Sequence, residues 1–316
     1  MIISKPKPFI KWVGGKGQLI TTIEKNFPTK FSQIKDLTYI EPFVGGGAVL
    51  FWILNQYPNV TKAVINDINP DLTTAYKTIK NNPTDLVKYL QAIQDEYIPL
   101  SEEKRKEYFL EKRSKFNTKS LDEIENTALF IFLNRTCFNG LYRVNSKGLF
   151  NVPFGKYTNP KICDEETILA DSQLLQRVEI LTGDFQETLK YVGKNSLFYF
   201  DPPYKPLSNT SSFTSYSKED FNDLDQIRLR NFCKKIDELG HRFILSNSDV
   251  KGYNTNDNFF DDLYDSFEIK RVLAKRTLNA NAEKRGKLTE LMITNFNTYA
   301  IQSIAYSEES QIAIAN

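Results

Sequence analysis

The sequence predicts an α/β fold: an open, mostly parallel sheet interrupted by a long helical and hairpin insertion. Three observations predict it. Short apolar runs ("LTYIE", "KAVIND", "VEILT", "SLFYF", "RFILSNS") recur with helical stretches between them. The first two runs are joined by a glycine turn and an apolar helix start, "PFVGGGAVLFWIL", as a βαβ unit requires. Between residues 72 and 175 this alternation stops and charged helical segments take over.

In chain order, "LTYIEPFVGGGAVLFWIL" (37–54) reads as strand, turn and helix, and "KAVINDIN" (62–69) as a second buried strand. About twenty residues separate the glycines from Asp67, the spacing of a nucleotide-binding βαβ unit. There the glycine turn lets backbone N–H groups approach a ligand, and a carboxylate at the next strand's end accepts two ribose hydroxyls. The alternative is a tight structural turn. Residues 72–125 carry apolar positions at three-to-four spacing and are expected to be helical. Segment 134–163, rich in Asn, Gly and aromatics, predicts loops and a hairpin. The α/β pattern resumes with "VEILTGDF" (178–185), "NSLFYFDPPY" (195–204), the helix "KEDFNDLDQIRLRNFCKKIDEL" and the strand "RFILSNS". Ser217 with Asp220 predicts a capping box for that helix. "FEIKRVL" and "LTELMITNF" are expected as edge strands, and residues 297–316 as a loosely attached tail. The expected domains are 1–71 with 176–296, forming the sheet, and 72–175, the insertion.

Composition narrows the chemistry. The 316 residues are 41% hydrophobic, enough for a sizeable core. No run approaches the roughly 18 apolar residues of a membrane helix. "MIISKPKPFIKW" lacks the apolar stretch of a signal peptide, so a cytoplasmic location is expected. Cys137, Cys163 and Cys233 form no CxxC pair, which suggests neither zinc nor a disulfide framework. The single histidine, His241, rules out Ser-His-Asp triads and multi-histidine metal sites. Net charge is only +2, but basic residues are clustered. No acid occurs from Thr127 to Cys163, where Arg135, Arg143, Lys147, Lys156 and Lys161 lie. The first 23 residues also lack acids and carry Lys5, Lys7, Lys11 and Lys16. A third island is Lys275, Arg276, Lys284, Arg285 and Lys287. These suggest a face that meets a polyanion, against the alternative of solvated loops.

Glu41, Asp67, Asp184 and Asp201 all fall at carboxyl ends of expected strands, where such sheets bind ligands. They suit a cationic, hydroxyl-rich nucleotide, or a metal. The run Asp201-Pro202-Pro203-Tyr204 is the most specific feature. Each proline fixes φ near −65° and lacks an N–H, so the Asp201 and Pro202 carbonyls are left as acceptors. A carboxylate, a carbonyl and an aromatic face suit a planar guest with an exocyclic amine, which donates two hydrogen bonds and stacks on the ring. The alternative is a structural turn with Tyr204 packed in the core.

"PFIKWVGGKGQLI", "EPFVGGGAVLF", "INDIN", "NGLYRVNSKGLFNVPFGKY", "GDF" and "DPPY" resemble, in matching order, the Dam-type DNA adenine methyltransferases of the alpha group. The resemblance runs from residue 8 to 296. It implies a Rossmann-like S-adenosylmethionine-dependent methyltransferase sheet with an inserted target-recognition domain. It also implies methyl transfer, by in-line displacement and without a metal, to the amino nitrogen of a flipped adenine in double-stranded DNA.

By the same resemblance Trp12, Lys16, Glu41, Gly45, Asp67 and Ile68 line the cofactor pocket, Asp184 and Phe185 hold the cofactor's adenine, and Asp201 borders both sites. Asp201 and the Pro202 carbonyl accept the target amine, and Tyr204, after Pro203, stacks on the base. Lys11, Phe138, Asn139, Arg143 and Pro153 fall in the reading element, whose relatives read GATC. There Arg143 pairs with a guanine edge, Lys11 adds a guanine contact and Phe138 wedges into the opened step. Lys147 and Lys156 are expected to meet phosphate or solvent. A restriction endonuclease acting on the same site is a further implied partner. Rival readings are an NAD-linked oxidoreductase, a methyltransferase of RNA or protein glutamine, and a silent nucleic-acid-binding module. The glycine run does not spell G-x-G-x-x-G, and a pure binder has no use for D-P-P-Y.

Overall fold

The computed structural model describes residues 5–207, 221–273 and 289–296. Chain order runs α1 (Ile20–Lys25), β1 (Leu37–Glu41), α2 (Ala48–Gln56), β2 (Val60–Asp67), α3 (Pro70–Asn81), α4 (Pro83–Tyr97), α5 (Glu102–Phe116) and α6 (Glu123–Thr136). It continues with α7 (Glu165–Leu175), β3 (Val178–Thr182), β4 (Asn195–Phe200), α8 (Asp223–Glu238), β5 (Arg242–Ser248), the short helices α9 (Val250–Tyr253) and α10 (Phe259–Leu263), β6 (Glu268–Leu273) and β7 (Thr289–Thr294). The strands form one sheet in the order β3-β2-β1-β4-β5-β7-β6. β1 to β5 are parallel to their neighbours among themselves, and β7 runs antiparallel to β5 and β6.

The apolar runs do not alternate with polar residues because both faces of the sheet are covered. Tyr39, Leu197 and Tyr199 join one core, with α2, α3 and α6. Their neighbours Ile40, Phe198 and Phe200 point the other way into a second core, with α8. Side chains set the helix starts. Asn69 accepts the N–H groups of Asp71 and Leu72 ahead of Pro70, Ser101 caps α5 and Asp122 caps α6. α3 packs on β2 and β3 as well as on α6 and α7, so the first helix of the 72–175 block also covers the sheet.

Two expectations change. "LTELMITNF" is not an edge strand: β7 lies between β5 and β6, and the edges are β3 and β6. Its "LMIT" residues are buried on both faces, which suits an interior position. Ser217 and Asp220 lie outside the described residues, as do the third basic island and the 297–316 tail. The capping box of α8 is Asn222 with Asp225, so this helix starts at Asp223. The three cysteines are free and buried. No helix among the described residues is long and apolar enough to cross a membrane.

Candidate active site

β1 and β4 are adjacent, yet the chain leaves β1 toward β2 and leaves β4 toward β5. This is the switch point of the sheet, where a crevice opens at the carboxyl ends of the strands. Glu41 ends β1 there, and Asp201-Pro202-Pro203-Tyr204 follows β4.

Asp201 Oδ1 receives Lys16 Nζ at 2.8 Å and the Ser246 hydroxyl at 3.2 Å. Ser246 is itself 3.2 Å from the Tyr199 hydroxyl. Tyr204 is half-buried; its hydroxyl donates to Glu290 Oε2 at 2.9 Å, and Lys16 Nζ stands 4.4 Å from its ring centre. The proline turn is pinned from α8 and β5. Gln226 donates to the Pro203 carbonyl at 3.2 Å, Asn247 donates to Gln226 at 3.1 Å, and Ser248 donates to the Lys205 carbonyl at 2.8 Å. Among the described residues no donor is spent on the Pro202 carbonyl, which is the free acceptor expected of this turn. Burial raises the Asp201 carboxyl above the ordinary aspartate range, while the Lys16 ammonium and Ser246 pull it back. Glu41, 2% exposed, is raised further by burial, although Tyr39 donates to it at 2.7 Å.

The glycine turn sits beside this corner. Gly45 and Gly47 have φ of 50° and 72°, a left-handed backbone that favours glycine. A Cβ on Gly45 would stand 2.9 Å from the Trp12 indole, and one on Gly47 2.5 Å from the Tyr76 hydroxyl. Here the expectation needs correcting in part. The Gly45 amide is not offered to a ligand; it donates to Asp67 Oδ2 at 3.1 Å, and the Gly47 amide donates to the Val44 carbonyl. Asp67 Oδ1 takes the Asn69 amide at 2.9 Å. Each carboxylate oxygen keeps a lone pair for a hydroxyl donor. Ile68 beside it is 66% exposed, an apolar surface at the rim.

Asp184 and Phe185 are arranged differently from what the motif suggests. Asp184 caps the 3₁₀ turn Phe185–Tyr191 and pairs with Arg228 at 2.6 Å. Phe185 is 4% exposed and packs in the second core with Phe43 and Phe232. It therefore supports the rim from below. The carboxylates do not converge as a metal cluster would: Asp67 holds the glycine turn and Asp184 holds Arg228. Among the described residues no group of three or more His, Cys, Asp or Glu is placed to hold a metal ion.

The expected reading segment folds as a loop closed on itself. Val144 pairs with Phe150 and Cys137 with Phe154 as antiparallel bridges, and residues 145–148 turn back through the Gly148 amide donating to Asn145. Phe138 is 51% exposed, and its amide donates to the Pro153 carbonyl at 2.8 Å. Asn139 is exposed, at φ 56°. Arg143 is held rigid by Asn151, with Nε donating to Oδ1 at 2.7 Å and Nη2 to the carbonyl at 3.1 Å. Lys11 reaches this loop from the other end of the sequence. Asn134, 2% exposed, accepts the Lys11 amide at 2.9 Å and donates to the carbonyls of Lys11 at 2.8 Å and Gly140 at 2.9 Å. The basic islands are partly structural: Arg135 donates to the Phe9 carbonyl, Lys156 pairs with Glu102 and Lys161 with Asp164.

A family model of the D12 class N6 adenine-specific DNA methyltransferases matches residues 12–278. The chain belongs to that family. Its relatives include "Type II methyltransferase M.MjaIII" of Methanocaldococcus jannaschii, 51% identical over 92% of this chain and 99% of the relative. "Type II methyltransferase M1.LlaDCHI" of Lactococcus lactis is 41% identical over 92% and 95%. A "DNA adenine methylase" of Haemophilus influenzae is 36% identical over 91% and 93%. The seven-stranded, mostly parallel sheet agrees with a Rossmann-like methyltransferase fold. This D12 chain is thus an adenine-specific DNA methyltransferase, and the oxidoreductase, RNA, protein-glutamine and silent-binder readings fall away.

Sequence reasoning missed Ser246, Glu290, Gln226, Asn247 and Asn134. Ser246, Asn247, Glu290 and Asn134 are polar residues inside or at the end of apolar runs ("FILSNS", "LTELMIT", "IFLNRT"), and that interruption is the available signal. A polar side chain in such a place must find a partner. Gln226 sits in the charged helix "DLDQIRLRN", which carries no such signal.

Proposed function

We propose that this methyltransferase moves a methyl group from S-adenosylmethionine to the amino nitrogen of a flipped adenine in GATC, with Asp201, Pro202 and Tyr204 as the base pocket. The observation that carries it is the pinned D-P-P-Y turn, which leaves the Pro202 carbonyl unspent beside a buried carboxylate. Asp201 and that carbonyl accept hydrogen bonds from the two amine hydrogens. Accepting them draws the nitrogen toward a tetrahedral, nucleophilic geometry. The proton that the nitrogen gives up on methylation leaves by way of the Asp201 carboxylate. Pro203 and Gln226 fix the direction of the acceptors, and Tyr204, anchored on Glu290, offers its ring for stacking. When bound, S-adenosylmethionine supplies a methyl on a sulfonium sulfur. Trp12, the Gly45 turn, Asp67 and Ile68 form its cradle: Asp67 for ribose hydroxyls, Ile68 for the ring. Lys16, Glu41, Asp184 and Phe185 border or brace that cradle. Catalysis of this kind is positioning and preorganised electrostatics.

GATC reading is assigned to the 72–175 insertion and Lys11. Arg143, clamped by Asn151, offers a fixed guanidinium for a guanine edge, a contact worth about 1–3 kcal/mol of discrimination. The exposed Phe138 is the wedge, Lys11 the second guanine contact, and Asn139 and Pro153 complete the surface. The type II relatives favour a companion endonuclease acting on the same site.

The test is transfer of labelled methyl from S-adenosylmethionine to two duplexes, one with a single GATC and one with it scrambled. Label on the GATC duplex alone, recovered in adenine, is expected. Label on both keeps the chemistry and overturns the target assignment. Asp201→Ala is expected to abolish transfer and retain cofactor binding; retained transfer sinks the role of that carboxylate.

A further inference from the structure

The corner given to the target base is already filled by a cation. Lys16 Nζ is 2.8 Å from Asp201 Oδ1, 4.4 Å from the centre of the Tyr204 ring and 3.0 Å from the Gly14 carbonyl. A lysine in this position is costly. Lys16 is 8% exposed, so its ammonium is largely stripped of water and its long side chain is fixed in one conformation. An adenine amine hydrogen-bonded to Asp201 would stand at roughly 2.9 Å from it. A base stacked on Tyr204 would lie about 3.5 Å above the ring. The ammonium occupies both positions, as a donor on the same carboxylate and as a cation over the same aromatic face. A base whose amine takes Asp201 Oδ1 and whose ring covers the face of Tyr204 that the ammonium covers cannot be seated beside it.

We propose that Lys16 is a placeholder for the target base: in the base-free enzyme its ammonium sits on Asp201 in the amine's place and covers the Tyr204 ring, and a flipped adenine enters only by displacing it. This goes beyond a cofactor-pocket role for Lys16, and it rests on the reading of Asp201 and Tyr204 as the base pocket.

Two features favour such a device. The first is electrostatic. Asp201 shares its corner with the carboxylates of Glu41 and Glu290 and the phenols of Tyr199 and Tyr204, all of which disfavour its ionised form or are disfavoured by it. A resident cation keeps the carboxylate an acceptor until the base arrives. The second is mechanical. Lys16 is carried on a glycine-rich turn in which Gly14 has φ 81°, and nothing lies within 4 Å of where side chains on Gly14 and Gly17 would stand. The outer side of the turn is thus open.

The placeholder also sets a threshold. A base with an amine at the right edge replaces the lost N–H···O bond on Asp201. A base presenting a carbonyl there brings an acceptor against an acceptor and leaves the ion pair in place. Lys16 thereby contributes to choosing an amino-bearing base, separately from the groove contacts of Arg143.

The experiment uses the full chain with S-adenosylhomocysteine, so that no turnover occurs. Two duplexes carry the methylated site, with the second strand's adenine already N6-methylated. One has adenine at the target position and the other an abasic nucleotide. Dissociation constants are measured from pH 7 to pH 9 for wild type, Lys16→Met, Lys16→Arg and Tyr204→Ala, after near-UV circular dichroism shows each variant folded. Methionine has a similar length and no charge, so Lys16→Met removes the ion pair on Asp201 and leaves a side chain of similar bulk. Its affinity for adenine relative to abasic duplex is expected to rise about three- to tenfold at the alkaline end, because a buried ion pair keeps little net worth once its desolvation is subtracted. Lys16→Arg, which keeps the charge, is expected to return the ratio toward wild type. An equal change on both duplexes would assign Lys16 to the phosphates and overturn the proposal. A selective loss of adenine affinity in Lys16→Met at every pH would make Lys16 a holder of the base and also overturn it. The pocket reading is tested separately: if Tyr204→Ala leaves the adenine-to-abasic ratio unchanged, the base does not stack there, whatever Lys16 does.

Discussion

Replacing Asn134 with alanine tests how the D12 fold ties the loop proposed to read DNA to its N-terminal segment. Asn134 lies in the last turn of α6 at 2% exposure, and its amide makes three hydrogen bonds, two to the Lys11 backbone and one to the Gly140 carbonyl. Alanine removes one acceptor and two donors and leaves three backbone groups without these partners. A buried group left unmet costs about 1–3 kcal/mol. Lys11 is exposed enough for water to reach its backbone, so the low end applies and the sum is about 3 kcal/mol. At about 2 °C per kcal/mol for a chain of this size, the melting temperature should fall by about 6 °C. Urea unfolding should show a lower midpoint with an unchanged slope. Because Lys11 and Phe138–Gly140 lose their shared anchor, the preference for GATC over a singly altered site should drop about tenfold, while S-adenosylmethionine affinity stays within twofold. A destabilisation below about 1 kcal/mol together with unchanged site preference would refute the reasoning. Asn134→Asp is the sharper control. It keeps the acceptor for the Lys11 amide but sets a carboxylate against two carbonyls, and should be worse than alanine.

Three further outcomes are expected. Asp171, 0% exposed and receiving the Lys7 amide at 3.0 Å, has its carboxyl pushed by burial up to about 8. The native state then holds a proton that the unfolded chain has lost, so this group lowers stability as pH rises from about 4 to about 8. Asp171→Asn, which retains an acceptor for Lys7, should therefore be more stable than wild type above pH 8 and no more stable at pH 4, as read by urea midpoints. Glu290→Gln keeps an acceptor for Tyr204 but removes a negative charge that helps raise Asp201. The acid limb of the pH profile of kcat/KM should move to lower pH, and an unmoved limb would show that Asp201 is not the group being titrated. Gly155→Ala would drive a Cβ to 2.4 Å from the Cys137 carbonyl, a backbone atom that cannot step aside. It should lower stability by about 1–3 kcal/mol and weaken binding of GATC duplex, with S-adenosylmethionine binding spared.

Much of this was legible because it is local. The strands β1, β2, β4 and β5 showed as apolar runs since a parallel sheet buries both faces, and the glycine turn showed because only glycine adopts φ of 50° or 72° cheaply. D-P-P-Y announced itself because two prolines remove two donors at a strand end. What stayed hidden is pairing between distant segments. Nothing in "LTELMIT" says that its strand inserts between β5 and β6, because edge and interior strands differ by their neighbours and not by their own period. Glu290 reads as an oddity in that run until the sheet brings it under Tyr204. Phe185 was assigned to the cofactor from its motif, and only the second core shows it packed beneath the rim. Asp184 likewise had no visible partner until α8 brought Arg228 to it.

The N-terminal segment is where these long-range pairings meet. Lys7 docks on Asp171, the Phe9 carbonyl on Arg135, Lys11 on Asn134, Trp12 on the glycine turn and Lys16 on Asp201. Ten residues thus touch α7, α6, the loop at Gly140, the Gly45 turn and the Asp201 corner in that order. Trp12 also stacks on Tyr142 of the reading loop, with ring centres 5.6 Å apart, and Tyr142 donates to Asp71 at 2.8 Å. Only four residues separate Lys11, held against the loop proposed to read DNA, from Lys16, held against the carboxylate proposed to meet the base.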